Sequence, residues 1–355
     1  MKKKVDVLVL FDQPNPPPKD LDLSRELDSE DWKTEAHVVR ALTRLGHWVR
    51  TVGLYDDPAP VLDEIKTRRP DVVFNLAEQF KDRSANDRNV VGLLEMMDVR
   101  YTGSSPTGLT LCKDKAMTKE ILSYRRIDFP DFAVFPPSAT IRKPKQLDYP
   151  LFIKPLKDEA SYGIAQDSFV RDDRSFEARV RFIHESMNQQ ALAEEFIEGR
   201  ELYVSIIGNR RLHVLPIREV VFSKMSESQP QFATFKAKWD EEYRKKWGIK
   251  NIYAEGLPEG IPEKISKICK EVYRALHIRG YGRIDLRLTP EGRIVVLEAN
   301  PNPGLAPDDE VALSASKAGY SYEELVQWIL QLALARIYPF KSASSPSLPP
   351  QSEKS

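Results

Sequence analysis

The sequence predicts an α/β domain built on a parallel sheet, followed by a longer region of mixed strands and helices. Three observations carry this. Strand-like and helix-like segments alternate as far as Thr102, the pattern of a parallel sheet with helices on both faces. The alternation changes character from Lys113. Further on, a two-stranded hairpin, Gly282–Ala299, carries acids at matched positions.

Val5–Phe11 (VDVLVLF) reads as a buried first strand. Its apolar run is short and lies between Asp6 and Asp12, unlike a secretory leader. The stretch after it, QPNPPPKDLDLSRELDSED, holds four prolines and reads as a long loop. Trp32–Leu45 has apolar residues at helical spacing and stops at Gly46. Val49–Leu54, Asp71–Leu76 and Arg100–Thr102 follow as strands, with helices at Pro60–Arg69 and Asn86–Met97. No GxGxxG follows the first strand, so the dinucleotide fingerprint is missing. Beyond it, Lys113–Tyr124 is expected to be one helix, Phe132–Val134 and Leu151–Lys154 strands, and Ser175–Asn188 a helix. Ala191–Phe196 and Glu201–Ile207 read as strands around Glu198-Gly199-Arg200, and Leu212–Glu219 as another. Ser223–Ala237 has no clear period. Pro262–Leu276 is a helix, Gly282–Leu288 and Arg293–Ala299 form the hairpin, and Tyr322–Ile337 is the last helix. Residues 339–355 have the composition of a disordered tail.

The 355 residues suit two or three domains of ~100–200 residues. Lys and Arg number 53, as do Asp and Glu, so the formal charge is zero and neither nucleic acid nor an anionic membrane is favoured as a partner. No run approaches the ~20 apolar residues that span a bilayer. Cys112 and Cys269 stand alone, with no CxxC and no His-rich tract, which fits a reducing cytosol.

Four segments carry candidate chemistry. In GRIDLRLTPEGRIVVLEANPNPG, Asp285 and Glu298 fall on the two hairpin strands, and Asn300 shares the face of Glu298. Two carboxylates and an amide oxygen suit Mg²⁺, a hard ion held by few protein oxygens plus phosphates. Arg283 shares the face of Asp285 and places a cation beside the metal. The plain alternative is a hairpin with solvated acids. Asn-Pro-Asn-Pro-Gly after Glu298 favours the functional reading, since such a loop fixes backbone N–H groups. IKPLKDEASYGI (Ile153–Ile164) puts a lysine at a strand end before a polar loop, which can embrace phosphates or simply be solvated. AEEFIEGRELYV (Ala193–Val204) can pair backbone with adenine and a carboxylate with ribose, or be an ordinary hairpin. CKDKAMTKE places Lys113, Lys115 and Lys119 at a helix start, where a solvated basic face is the commoner outcome.

In this order the four segments resemble the ATP-grasp superfamily, and within it the D-alanine–D-alanine ligase family, over about Asp71 to Ile337. The resemblance implies an N-terminal α/β domain (residues 1–110), then two α+β subdomains (111–196 and 197–338) clamping ATP. Lys115, Lys154, Ser161 and Gly163 are the implied phosphate contacts. Glu194 and the backbone of Glu195, Phe196 and Ile197 make the implied adenine site, and Glu201 holds the ribose. Lys238, with Lys236 close enough to confuse the alignment, matches the lysine that meets the γ-phosphate from a mobile loop. Arg283 and the Gly304 amide are the implied oxyanion stabilisers. Asp285, Glu298 and Asn300 are the implied ligands of two Mg²⁺ ions, with Mn²⁺ as a substitute. The reaction implied is ligation of a small-molecule carboxylate to an amine through an acyl phosphate, and relatives are often homodimers.

The sequence also departs from that family. FDQPNPPPKDL stands where the glutamate-bearing turn belongs, Ala160 replaces a serine of the phosphate loop, and Trp239 replaces a tyrosine after the lysine. These three side chains pin the family's lid, formed here by Ser223–Lys238. Asp309 replaces a serine that meets the second substrate's carboxylate, which it would repel. Asn75, Glu78 and Asp309 are therefore the expected selectors of a different substrate pair, surface polarity being the plain alternative. Two further readings stay open: a catalytically silent nucleotide-binding regulator, and an ATP-grasp phosphotransferase or carboxylating enzyme.

Overall fold

A computed structural model describes residues 3–16, 23, 27, 29–157, 162–225 and 230–336. Ser161, Ala160 and the expected tail 339–355 lie outside the described residues.

The first elements alternate: β1 (Asp6–Asp12), α1 (Lys33–Arg44), β2 (Trp48–Leu54), α2 (Ala59–Thr67), β3 (Val72–Asn75) and α3 (Asp87–Met96). The strands form a parallel sheet in the order β2-β1-β3. β1 lies in the middle and is covered on both faces, hence its almost unbroken apolar run. The expected strand Arg100–Thr102 is reduced to one bridge between Tyr101 and Val73. A helix not expected from the sequence, α4 (Pro106–Lys113), precedes α5 (Lys115–Tyr124), which is the expected helix Lys113–Tyr124 begun two residues later. Ser105 caps α4 and Pro106 opens it. Asp114 is extended, and its carboxylate accepts from the Ala116 and Met117 N–H groups, both at 3.2 Å.

A four-stranded antiparallel sheet follows, from β4 (Phe132–Phe135), β5 (Leu151–Pro155), β6 (Phe169–Val170) and β7 (Ala191–Glu195), in the order β4-β7-β5-β6. Its core is closed by α6 (Asp173–Met187) through Phe176, Val180 and Ile183.

The largest sheet has six strands: β8 (Arg200–Gly208), β9 (Leu212–Val214), β10 (Arg218–Phe222), β11 (Ile249–Tyr253), β12 (Gly280–Leu288) and β13 (Ile294–Pro301). Its order is β11-β10-β8-β12-β13, with β9 also on β8. The expected strand Leu212–Glu219 splits in two around Pro216, which has no N–H to give a ladder. Between β10 and β11 lie two short helices that sequence periodicity did not reveal, α7 (Phe235–Trp239) and α8 (Glu241–Trp247). The amphipathic α9 (Ile261–Ala275) covers one face of this sheet. The chain ends with α10 (Glu310–Lys317), also unforeseen, and α11 (Tyr322–Leu334). β7 and β8 belong to different sheets, so Phe196–Gly199 is a crossing between sheets and not a hairpin turn.

Candidate active site

Alternation sorts the large sheet's side chains into two sets. Leu202, Val204 and Ile206 on β8, with Ile284 and Leu286 on β12, pack with Ile265, Cys269 and Val272 of α9. The intervening Glu201 and Tyr203, with Arg283, Asp285 and Arg287, therefore project from the other face. Register sets Asp285 opposite Glu298 and Arg283 opposite Asn300, with a bulge after Asp285. Arg283 donates to both oxygens of Asp285, at 2.7 and 2.8 Å, and the Asn300 amide nitrogen donates to Oδ2 at 3.0 Å. Burial pushes Asp285 up and the Arg283 guanidinium opposes that push. Burial would also raise Glu298, but Lys115, Lys238 and Lys154, from three different elements, hold it at about 2. Glu201 accepts from Arg287 at 2.7 Å and from the Tyr203 hydroxyl at 2.9 Å.

The four-stranded sheet supplies the opposing wall. Glu194 on β7 is buried and sits 2.6 Å from the Lys154 ammonium and 3.1 Å from that of Lys119. Lys119 is 1% exposed, so it is no solvated surface lysine. Burial lowers it to about 8 despite the Glu194 charge. For Glu194 burial works upward, and the two ammonium groups overcome it and hold the carboxyl low. The Glu195 and Phe196 N–H groups bond to the Asp131 and Pro150 carbonyls. The Ile197 N–H has no acceptor among the described residues.

Between the walls lies a narrow cleft, half open to solvent. Its charged lining is Lys154, Glu194, Glu195, Glu201, Lys238, Asp285, Arg287 and Glu298. Its apolar lining includes Phe152, Phe196 and Phe232, with the Phe152 and Phe232 rings 4.9 Å apart edge to face. Lys238 lines the cleft, whereas Lys236 is exposed, which separates the two lysines that the sequence left entangled.

A family model described as D-ala D-ala ligase C-terminus matches residues 123–331. The chain belongs to the D-alanine–D-alanine ligase family. It is an ATP-grasp ligase, forming a carbon–nitrogen bond at the expense of ATP. The chain is 30% identical over 347 residues to the uncharacterized protein y4sG of Sinorhizobium fredii, covering 94% of each. It is 29% identical to the D-alanine–D-alanine ligase of Bordetella petrii, over 80% of this chain and 82% of that one. Among solved structures, the Bacillus anthracis D-alanine–D-alanine ligase complexed with ATP superposes with a TM-score of 0.71 at 21% identity. That match covers 93% of this chain and 97% of the other.

The structure sets the remaining candidates of this D-alanine–D-alanine ligase family member apart from the cleft lining. Gly304 is exposed, and a Cβ on it would lie 2.4 Å from the Asp309 carboxylate, so the position admits no side chain unless Asp309 moves. Asp309 folds back and accepts from the Ala306 N–H at 2.7 Å. Asn75 is buried at the end of β3, its backbone N–H on Thr102 Oγ1 at 2.9 Å. Glu78 is exposed, and its N–H donates to Asp12 at 2.7 Å. Gly163 has a left-handed backbone (φ 72°), and its carbonyl accepts from Arg179.

Sequence reasoning did not foresee Arg287, Phe152 or Phe232 at the cleft, and it left Lys119 as one lysine of a basic helix start. Lys119 lies one turn from Lys115 on the same helix face, and Arg287 shares the strand parity of Arg283 and Asp285; those were the available signals. Among the described residues no three His, Cys, Asp or Glu side chains gather into a metal site; the candidate donor set is two carboxylates and an amide. Both cysteines are free and buried. No helix among the described residues is long and apolar enough to cross a membrane.

Proposed function

We propose that this chain converts the carboxylate of an amino acid or peptide to an acyl phosphate with ATP, and joins it to an amine in a pairing other than two D-alanines. The gathering of Lys154, Glu194, Glu201, Lys238, Asp285 and Glu298 around one cleft carries this reading. In it, ATP lies between the units 111–196 and 197–338. The adenine edge meets the Ile197 N–H among the Phe152, Phe196 and Phe232 rings, and Glu201 takes the ribose.

The donor set fits magnesium. Asp285 and Glu298 face each other across adjacent strands, Glu298 is ionised, and the Asn300 amide turns its nitrogen to Asp285, which leaves its oxygen for a cation. Asp285, Glu298 and Asn300 would hold two Mg²⁺ ions, which neutralise phosphoryl charge when bound. Lys115, Lys154 and Lys238 add three cations at the same place, and the buried Lys119–Glu194 pair keeps Lys154 oriented. A substrate carboxylate oxygen attacks the γ-phosphorus, and ADP leaves. The amine nitrogen then attacks the acyl carbon and loses a proton, and phosphate departs with the carboxylate oxygen. Arg283 and the Gly304 N–H stabilise the oxyanion formed between those events. A polar lid from Ser223 to Lys238 shields the acyl phosphate from water.

Substrate choice rests on Asn75, Glu78 and Asp309. Burial raises Asp309, and the charges of Glu78 and Asp309 both bear on Tyr281. Acids at this edge favour an amine- or guanidine-bearing substrate over a second carboxylate. ADP formation from MgATP, screened over amino acids and dipeptides with mass detection of the product, tests the proposal. At least one pair is expected to yield ADP and amide in equal amounts; a chain that hydrolyses ATP without any amide product, or ignores every pair, would refute it.

A further inference from the structure

Lys238 stands on α7, a helix of five residues. So short a helix is marginal on its own and takes its place from what grips it. One grip is on the cleft side, where the Phe235 N–H donates to the Ile164 carbonyl at 3.1 Å. The other comes from outside the cleft. Arg244 of α8 donates through Nη1 to the carbonyl of Ala237, the residue next to Lys238, and through Nη2 to Asn251 Oδ1 at 3.1 Å. The Asn251 amide nitrogen donates to Glu310 Oε1 at 2.5 Å. Arg218 donates to the other Glu310 oxygen at 2.8 Å and to the Asn251 carbonyl at 2.9 Å. Both oxygens of Glu310 are thus engaged, in an ion pair whose side chains are 6% and 12% exposed. The network runs from the first residue of α10, six positions after Gly304, across β10 and β11 to the lid helix.

We infer that Glu310 is a positioning residue for Lys238: through Asn251 and Arg244 it fixes where the lid lysine sits over the cleft. The inference rests on the reading above that Lys238 meets the terminal phosphate. A buried carboxylate with two charged or amide donors is a stiff anchor, and the low exposure strengthens each bond. Asn251 bridges because its amide offers an acceptor to Arg244 and a donor to Glu310 at once. Glu310 has no place in the cleft lining and no contact with a candidate metal ligand; its charge also bears on Arg283, and its hydrogen bonds lead to α7 through Asn251 and Arg244.

Calorimetric titration with AMP, MgADP and the magnesium complex of adenylyl imidodiphosphate tests this without turnover. The five proteins are wild type, Lys238→Met, Arg244→Ala, Glu310→Ala and the Arg244→Ala/Glu310→Ala double variant. In wild type the third phosphate is expected to tighten binding, and in Lys238→Met that gain disappears. Glu310→Ala and Arg244→Ala are expected to shrink it about five- to tenfold, the loss of a charge-assisted hydrogen bond, with AMP affinity unchanged. The double variant should be no worse than either single one. Should Glu310→Ala fail to fold, Arg244→Ala, on the half-exposed side of α8, carries the same expectation. An intact triphosphate preference in Arg244→Ala or Glu310→Ala, beside its loss in Lys238→Met, would overturn the inference alone. Equal weakening of all three nucleotides would overturn it too, since that is what a merely structural role produces. A preference that survives Lys238→Met removes the reading of Lys238 and this inference with it.

Discussion

Arg283 grips Asp285 with both ends of its guanidinium, and in the mechanism we propose it is also the cation that meets the oxyanion. Arg283→Met is expected to lower the rate of amide formation by about 10²–10³ while leaving nucleotide affinity nearly unchanged, the pattern of a group that acts in the transition state. Rapid-quench measurement of amide product beside equilibrium nucleotide binding separates the two effects. Glu35 gives a pH signature. Burial lifts it from 4.5 to about 6, with the Asp12 charge adding to the lift. A raised carboxyl binds its proton more tightly in the folded chain, so its contribution is complete below about 4.5 and lost as pH rises through about 6. Glu35→Gln is therefore expected to be more stable than wild type at pH 7, by on the order of 1 kcal/mol after allowing for solvent screening, and equal to it near pH 4. Urea unfolding across that range checks this. At this scale the sequence was most legible where strand parity speaks. Arg283, Asp285, Glu298 and Asn300 share a face because residues two apart must, and only the bulge after Asp285 was invisible. Lys119 was illegible because its burial depends on Glu194, which arrives from another sheet.

At the scale of elements, Asp114 does what no helix interior can. It ends α4, caps α5, and sets Lys115 at the first position of the new helix. Asp114→Ala is expected to cost about 1 kcal/mol of stability through the lost cap. It should also weaken ATP binding more than AMP binding, since Lys115 loses its fixed start. Chemical unfolding and nucleotide titration give the two numbers. α4 was readable in principle from Ser105-Pro106 at its start and Asp114 at its end, yet its eight residues are too few for an apolar period to stand out. α7, α8 and β11 were not readable in the same way. They are short, and their few apolar residues, Ala237, Tyr243, Trp247 and Ile249, find their partners Tyr203, Val220 and Phe222 on other strands, with Arg244 on Ala237 and Phe235 on Ile164 adding backbone grips. The β7–β8 crossing looked like a hairpin because local sequence says nothing about which sheet a strand joins.

Across the whole molecule, the N-terminal sheet and the last helix share one core. Val7, Val9 and Phe11 pack with Leu325, Val326 and Ile329, so β1 and α11 close on each other. The four-stranded sheet has a core of its own, and the cleft lies where its wall meets the six-stranded sheet. Fold class was legible from alternation, and so was the gathering of Lys154, Glu194, Glu201, Lys238, Asp285 and Glu298 on one cleft, from four motifs in order. The substrate half was not. Asn75 and Glu78 share one segment while Asp309 lies far along the chain, and in the folded chain the Asp309 carboxylate turns to the Ala306 N–H and the Glu78 N–H to Asp12. The claim on which all of this converges is that a substrate carboxylate is phosphorylated before the amine attacks. It is tested most directly by tracing oxygen. With the carboxylate of the active donor amino acid labelled with ¹⁸O, the account predicts one labelled oxygen in each phosphate released with the amide. Phosphate that carries no label while amide accumulates would contradict it.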